Sequence, residues 1–194
     1  MSNIVISGYY GFGNAGDEAM LCAIIDAIRK EEADAHITVI SGNPTETSKK
    51  HNIHAVGTFS AFGILKAIAN SDLVISGGGS LLQDATSIRN TYYYLSIMAL
   101  AKMMGKKVML YSQGIGPLNR KSTKRAVKFM LKYVDGITVR DSISKSELES
   151  LGIEDVEVTA DAVLAMQPAD LSIGKRILEG YTSKLPKSIE NPKR

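Results

Sequence analysis

The chain has 194 residues, 44% of them hydrophobic and 22% charged, with a formal net charge of +3 at pH 7 and one cysteine. That length suits one well-buried domain with little room for a second, and the near balance of acids and bases argues against a nucleic-acid binder. Cys22 alone excludes an intrachain disulfide and a cysteine-built metal site, and the absence of a basic-then-apolar leader or an apolar run of about 18 residues predicts a cytoplasmic protein.

Taken in order, the short run "NIVIS" at 3–7 predicts a first strand, and "GYYGFGNAGDEAM" at 8–20 leads into a helix over 16–31 with Cys22 on its apolar side. Gly11, Gly13 and Gly16 spell G-x-G-x-x-G, a spacing that lets a backbone approach an anion at a helix start. A dinucleotide would also need a carboxylate after the second strand to hold its ribose. That strand, "ITVI" at 37–40, instead runs into Ser41, Gly42 and Asn43. Asp17 and Glu18 also put negative charge where a pyrophosphate would sit, so the pattern points away from NAD.

Further along come a helix at 60–70, strand "SDLVIS" at 71–76, and a nearly all-apolar helix at 88–104 capped by Gly105. Strand "KVMLYS" at 107–112, a helix at 121–133, strand "GITVR" at 136–140, a helix at 142–151 and strand "VEVTA" at 156–160 follow. The lysine cluster "NRKSTKRAVKFMLK" at 119–132 reads as a solvated helical face rather than a polyanion site. Apolar strands alternating with helices predict an α/β domain, a doubly wound parallel sheet of Rossmann-like type over 1–168. Residues 169–194, with the helical pattern "IGKRILEGY" and then "LPKSIENPKR", read as a helix and an interdomain linker, the second domain being absent.

In such sheets ligands bind beyond the carboxyl ends of the strands. The loops there are "GYYGFGNAGDE", "GGGSLLQD", "QGIGP" and "DSIS". Three glycine clusters on one rim predict a pocket for an oxygen-rich ligand, although each could serve only as a strand-to-helix turn. The expected substrate-binding residues are Gly11, Gly13, Asn14, Asp17, Gly78, Gly79, Ser80, Gln83, Arg89, Asn90, Gln113 and Gly114, with Asp84 and Asp141 beside them. Arg140 offers a planar fork for a carboxylate or phosphate; its alternative role is pairing with Asp141 or Asp161. One of Tyr92, Tyr93 and Tyr94 could stack on a sugar, or all three could pack in the core. His36, His51 and His54 lie off the rim, in no spacing that suggests a metal site or a triad, so the catalytic residues are unassigned.

The segments "GYYGFGNAGDEAML", "SGGGSLLQD", "SIRNTYYYL", "YSQGIGP" and "ITVRDSIS", in this order and spacing, resemble the amino-terminal half of the polysaccharide pyruvyl transferases. The likeness is to the type that adds ketal pyruvate to secondary cell-wall polymers, and it runs over residues 3–168. It implies one half of a GT-B-like two-domain transferase that moves a pyruvyl group from phosphoenolpyruvate to a sugar of a cell-wall or exopolysaccharide polymer. It implies no metal and no cofactor. The implied partners are phosphoenolpyruvate, a sugar or lipid-linked saccharide acceptor that would hold the protein peripherally at the membrane, and a carboxy-terminal domain. Asp17 and Glu18 would then meet acceptor hydroxyls, and Arg140 the donor. A basic histidine and a further arginine belong to the second half in this family, so the chain by itself is expected to be inactive. It is also expected to self-associate through Tyr9, Tyr10, Phe12, Ile115 and Leu118 exposed on the rim. Two other functions fit the same rim: a GT-B glycosyltransferase using a nucleotide sugar, and a non-catalytic carbohydrate-binding fragment.

Overall fold

Strands rich in valine and isoleucine, apolar on both faces, belong in the middle of a sheet covered on both sides. In a computed structural model describing residues 1–182 except 86 and 169, they form seven parallel strands. The chain runs β1 (Asn3–Tyr10), α1 (Ala15–Glu31), β2 (His36–Ser41), α2 (Pro44–His51), β3 (His54–Gly57), α3 (Ala61–Ala69), β4 (Leu73–Gly77) and α4 (Ile88–Met103). It continues with β5 (Lys107–Gln113), α5 (Lys121–Leu131), β6 (Gly136–Val139), α6 (Ser142–Ser150), β7 (Glu157–Val158) and α7 (Leu171–Thr182). The spatial order β3-β2-β1-β4-β5-β6-β7 is that of a doubly wound sheet.

Alternation along each strand sorts the core into two layers. Val5, Val74, Val108 and Leu110 meet Ile64 and Ile68 of α3, Tyr94 and Met98 of α4, Val127 of α5 and Leu148 of α6. On the opposite face Ile4, Ile6 and Ile75 meet Leu21, Ile24 and Ile25 of α1. Each such fully buried aliphatic side chain stabilises the fold by roughly 1.5–3 kcal/mol. The chain reverses direction across the sheet between β1 and β4, where their carboxyl ends diverge, and there a ligand crevice opens in this fold.

The expected strands and helices are all present, with three additions: α2, β3 and a short 3-10 helix at Ala162–Ala165. α2 and β3 are not evident as periodic patterns because "PTETSKKH" buries only Thr47 and His51, while "HAVG" is four half-buried or exposed residues. α2 is set instead by end chemistry, with Asn43 accepting from the Glu46 N–H and Pro44 in the first turn. β7 pairs over two residues, less than the 156–160 expected. Residues 171–182 are helical as expected; the linker "LPKSIENPKR" lies outside the described residues.

Candidate functional site

The glycine-rich loop after β1 is closed by its own helix. Asn14 caps α1, its Oδ1 accepting from the N–H groups of Gly16 (3.0 Å) and Asp17 (3.4 Å). Gly11 turns through φ +77°, and its N–H donates to Glu18 Oε1 at 2.7 Å. A Cβ at Gly11 would come within 2.1 Å of Ser41 Oγ, so only glycine fits. Glu18 is bound a second time by Lys50 Nζ at 3.6 Å. A carboxylate therefore occupies an N–H that a phosphate loop would present. The end of β2, where a ribose carboxylate would stand, holds a buried Ser41–Thr47 hydroxyl pair at 2.7 Å and the Asn43 cap. Both features agree with the reading against a dinucleotide.

Asp17 faces the other way, toward the crevice. Only 8% exposed, its Oδ1 accepts the Gly79 N–H at 3.4 Å. The Gly79 carbonyl in turn accepts the Gly114 N–H at 3.1 Å, which joins the loops after β4 and β5. A Cβ at Gly114 would lie 2.7 Å from Ser80 Oγ and 2.8 Å from an Arg140 terminal nitrogen, so this glycine admits the guanidinium to the rim. Arg140, one-third exposed, places Nε 3.4 Å from Asp141, Nη1 3.3 Å from Asp161 and Nη2 3.3 Å from Ser80 Oγ. Asp17, Gly79, Ser80, Gly114 and Arg140 thus form one connected cluster from four loops. The structure supplies the pairing alternative for Arg140 in full, and leaves part of its side chain open to the rim.

The remaining expected residues divide. Ser80, Gln83 and Asn90 come together with Tyr9, Ser87 and Tyr94 around a recess of about 50 Å³. Gly78 turns through positive φ against the Tyr10 ring, and the Gln83 carbonyl accepts the Thr91 hydroxyl. Arg89 is exposed at the start of α4. Gln113 is completely buried, and its side-chain amide has no hydrogen-bond partner among the described residues. Gly11 and Gly13 line a separate groove of about 500 Å³ between α1 and α2, with Glu18, Lys50 and His51. Cys22 lines that groove too, half-buried with Sγ 3.9 Å from Asp26, and not within the apolar side of α1 as expected. A larger groove, about 730 Å³, lies beside α1 near the opposite end of the strands, lined by Ile4, Ile28 and Leu73.

Several rim residues prove structural. Tyr10 is fully buried and donates to the Gly77 carbonyl at 2.8 Å, while Ile115 and Leu118 are 6% and 3% exposed. These three are core, which corrects the expectation that they form an exposed patch; their β-strand and loop neighbours fold over them. Tyr9 and Phe12 do remain exposed, stacked with ring centroids 4.4 Å apart. Of the three tyrosines opening α4, Tyr94 is buried, Tyr93 donates to the Thr58 carbonyl and Tyr92 is exposed.

Charge environment separates the carboxyls. Burial raises Asp17 above the ordinary aspartate value, with the Gly79 N–H opposing and Glu18 adding to the rise. Asp84 feels the same upward push from burial, but the N–H groups of Asn119 and Arg120 outweigh it and hold the group low. Asp141, the α6 cap, is held low chiefly by the Ser144 N–H, against a smaller opposing effect of burial. Sequence reasoning grouped these aspartates as rim residues; burial and the number of N–H groups each one accepts tell them apart. Among the described residues no three His, Cys, Asp or Glu side chains assemble as a metal site, and no helix is long and apolar enough to cross a membrane.

The strand order and the crevice at the β1/β4 switch define a Rossmann-like domain of the kind that makes up one half of GT-B proteins. HepE of Anabaena, solved in complex with UDP and glucose, superposes with a TM-score of 0.56 at 13% identity, over 92% of this chain and 50% of that one. A UDP-N-acetylglucosamine 2-epimerase described as putative, from Listeria monocytogenes, gives 0.55 at 13% identity, over 91% and 51%. The polysaccharide pyruvyl transferase profile matches residues 14–193, and the chain belongs to that family. The amylovoran biosynthesis protein AmsJ of Erwinia amylovora is 25% identical over 200 residues, covering 82% of this chain. The chain spans 47% of AmsJ, about half the length of the curated relative it matches.

Proposed function

We propose that this protein is the acceptor-side half of a transferase that moves a pyruvyl group from phosphoenolpyruvate onto a saccharide as a cyclic ketal. Membership of the family over residues 14–193 carries the reading. The connected cluster on the rim supports it with two complementary groups. Arg140 offers guanidinium N–H groups to the donor's phosphate or carboxylate, partly neutralised by Asp141 and Asp161 so that the anion competes for the fork. Asp17, which burial holds above the ordinary aspartate value and which faces the crevice, is suited to take a proton from an acceptor hydroxyl and return it. Two sugar hydroxyls add in turn at the donor's C2; the enol methylene carbon gains a proton to become the methyl group, and phosphate leaves. Neither step calls for a metal or a redox cofactor. The donor is a cytoplasmic metabolite, and a lipid-linked acceptor brings the reaction to the membrane's inner surface.

The test is a full-length form supplied with phosphoenolpyruvate and a lipid-linked saccharide. Phosphate release that requires both, with a pyruvyl ketal found on the acceptor by mass spectrometry, is the expected result. Transfer from a nucleotide sugar in place of phosphoenolpyruvate would replace this reading with a glycosyltransferase. Residues 1–194 alone are expected to show negligible turnover.

A further inference from the structure

Charge is segregated between the two faces of the sheet, although the chain as a whole is nearly neutral. Between Ala85 and Val134 there are ten lysines and arginines and no aspartate or glutamate. From Ser60 to Ser71, which contains α3, there is no acid either, and one lysine, Lys66. These stretches contain α3, α4 and α5, which lie side by side over one face of the sheet, so their solvent sides make one continuous surface. The face of α1 and α2, by contrast, is mixed, with Asp26, Glu31, Glu32 and Glu46 set among Arg29, Lys30, Lys49 and Lys50.

The cations on this surface are ordered by helical spacing. Lys121, Arg125, Lys128 and Lys132 fall at intervals of four, three and four residues and share one outward stripe, opposite the buried Val127 and Met130. All four are exposed and make no ion pair among the described residues. The acids that border the layer are already engaged: Asp135 by Lys102 at 2.8 Å, Glu147 by Lys124 at 3.9 Å, Asp84 by backbone N–H groups and Asp72 by the Asn3 N–H.

Solvation alone accounts for lysines but not for the apolar side chains among them. Phe59 is 92% exposed, Phe62 77%, Met103 85% and Phe129 66%. Phe59 and Phe62 stand at the start of α3, at the carboxyl-end rim of the sheet where the candidate site lies. Phe129 rests edge-on against Tyr133, with centroids 5.3 Å apart. It lies on the flank of the stripe away from Lys124 and its α6 partner. Large apolar residues set among unpaired cations match the chemistry of an anionic bilayer surface, where rings and thioethers enter the headgroup region while lysines meet lipid phosphates. A nucleic acid would use the cations and could stack on the rings, but has no use for exposed Met103 or Leu65.

We propose that the α3–α4–α5 face docks the protein on an anionic lipid membrane, with Phe59 and Phe62 as its apolar anchors and the Lys121–Lys132 stripe as its electrostatic contact. Docked in this way, the rim stands beside the headgroups, in position for an acceptor presented on a lipid carrier. That consequence rests on the function proposed above, whereas the docking itself does not.

Vesicle flotation of the full chain, with neither donor nor acceptor present, tests it. Binding to phosphatidylcholine vesicles containing phosphatidylglycerol and not to pure phosphatidylcholine is expected. Each cation at an anionic surface contributes about fivefold to binding, so R125E/K128E weakens it by about 25-fold or more. F59S/F62S, altering side chains already in water, keeps the melting temperature and weakens binding by about tenfold or more. No flotation, equal flotation on neutral lipid, or indifference to both double substitutions overturns the proposal. Tighter binding to duplex DNA than to the anionic vesicles at equal salt also overturns it, in favour of a nucleic-acid surface. Because no transfer chemistry is scored, failure here leaves the proposed reaction standing, and failure of the reaction leaves this result standing.

Discussion

Replacing Asp84 separates structure from chemistry on the rim. Its carboxylate, 7% exposed, accepts the Asn119 N–H at 2.7 Å and the Arg120 N–H at 2.8 Å. It thereby pins the loop after β4, which carries Ser80 and Gln83, to the segment leading into α5, whose cap residue Arg120 makes no side-chain cap bond. Bonds to a charged acceptor contribute about 1.5–3 kcal/mol each, but Asn119 and Arg120 lie at the surface and water replaces part of what is lost. Asp84→Ala is therefore expected to cost about 2–4 kcal/mol, a fall of about 4–16 °C in melting temperature for a domain of this size. Asp84→Asn keeps the shape but turns an N–H donor toward another, and should cost about 1–2 kcal/mol. The pH dependence follows from the lowered carboxyl. Its stabilisation is fully present above the unfolded aspartate value near 3.9 and is lost as pH falls through the still lower folded value. Urea midpoints of wild type and Asp84→Asn should differ at neutral pH and converge as pH falls below the ordinary aspartate range. A gap that persists unchanged in acid, or no gap at pH 7, would refute the assignment of Asp84 to the loop junction.

Asp17→Asn should lower turnover of the full-length enzyme by about 10²–10⁴-fold if this carboxyl moves the proton. The folded state raises its affinity for a proton, so the ionised form lowers stability as pH rises, and the amide should melt no lower than wild type at pH 7; unchanged turnover would remove the role. Arg140→Lys keeps the charge but loses a fork that reaches Asp141, Asp161 and Ser80 together. Donor binding by calorimetry should weaken by about 1–3 kcal/mol, while stability falls by about 1 kcal/mol or less because the group is one-third exposed. Intact binding with a large drop in melting temperature would leave only the structural role. Tyr10→Phe orphans the buried Gly77 carbonyl and should lower stability by about 1–3 kcal/mol without altering donor affinity, which denaturation and calorimetry can check separately.

Local pattern by itself determined the layers of this protein. Strands such as "NIVIS" and "SDLVIS", apolar on both faces and alternating with helices, admit only a covered parallel sheet, and that places their glycine loops on one rim. Asn14 and Asp141 could be read as caps from position alone, because a cap bond spans two or three residues. α2 was illegible for the converse reason: it buries two polar-pattern residues and has no apolar stripe to announce it. What only the tertiary structure decided is which rim group meets which. Asp17 reaches Gly79 across 62 residues, Arg140 reaches Ser80 across 60, and Asp84 reaches Arg120 across 36. Those contacts depend on the order and register of separate strands, and so do the burial that raises Asp17 and the pair of N–H groups from a distant loop that lowers Asp84, whereas Asp141 is lowered chiefly by its own cap bond to Ser144. Periodicity is carried by neighbours along the chain and survives in the sequence; proton affinity is set by burial and by hydrogen bonds between loops, which exist only once the sheet has brought its carboxyl ends together.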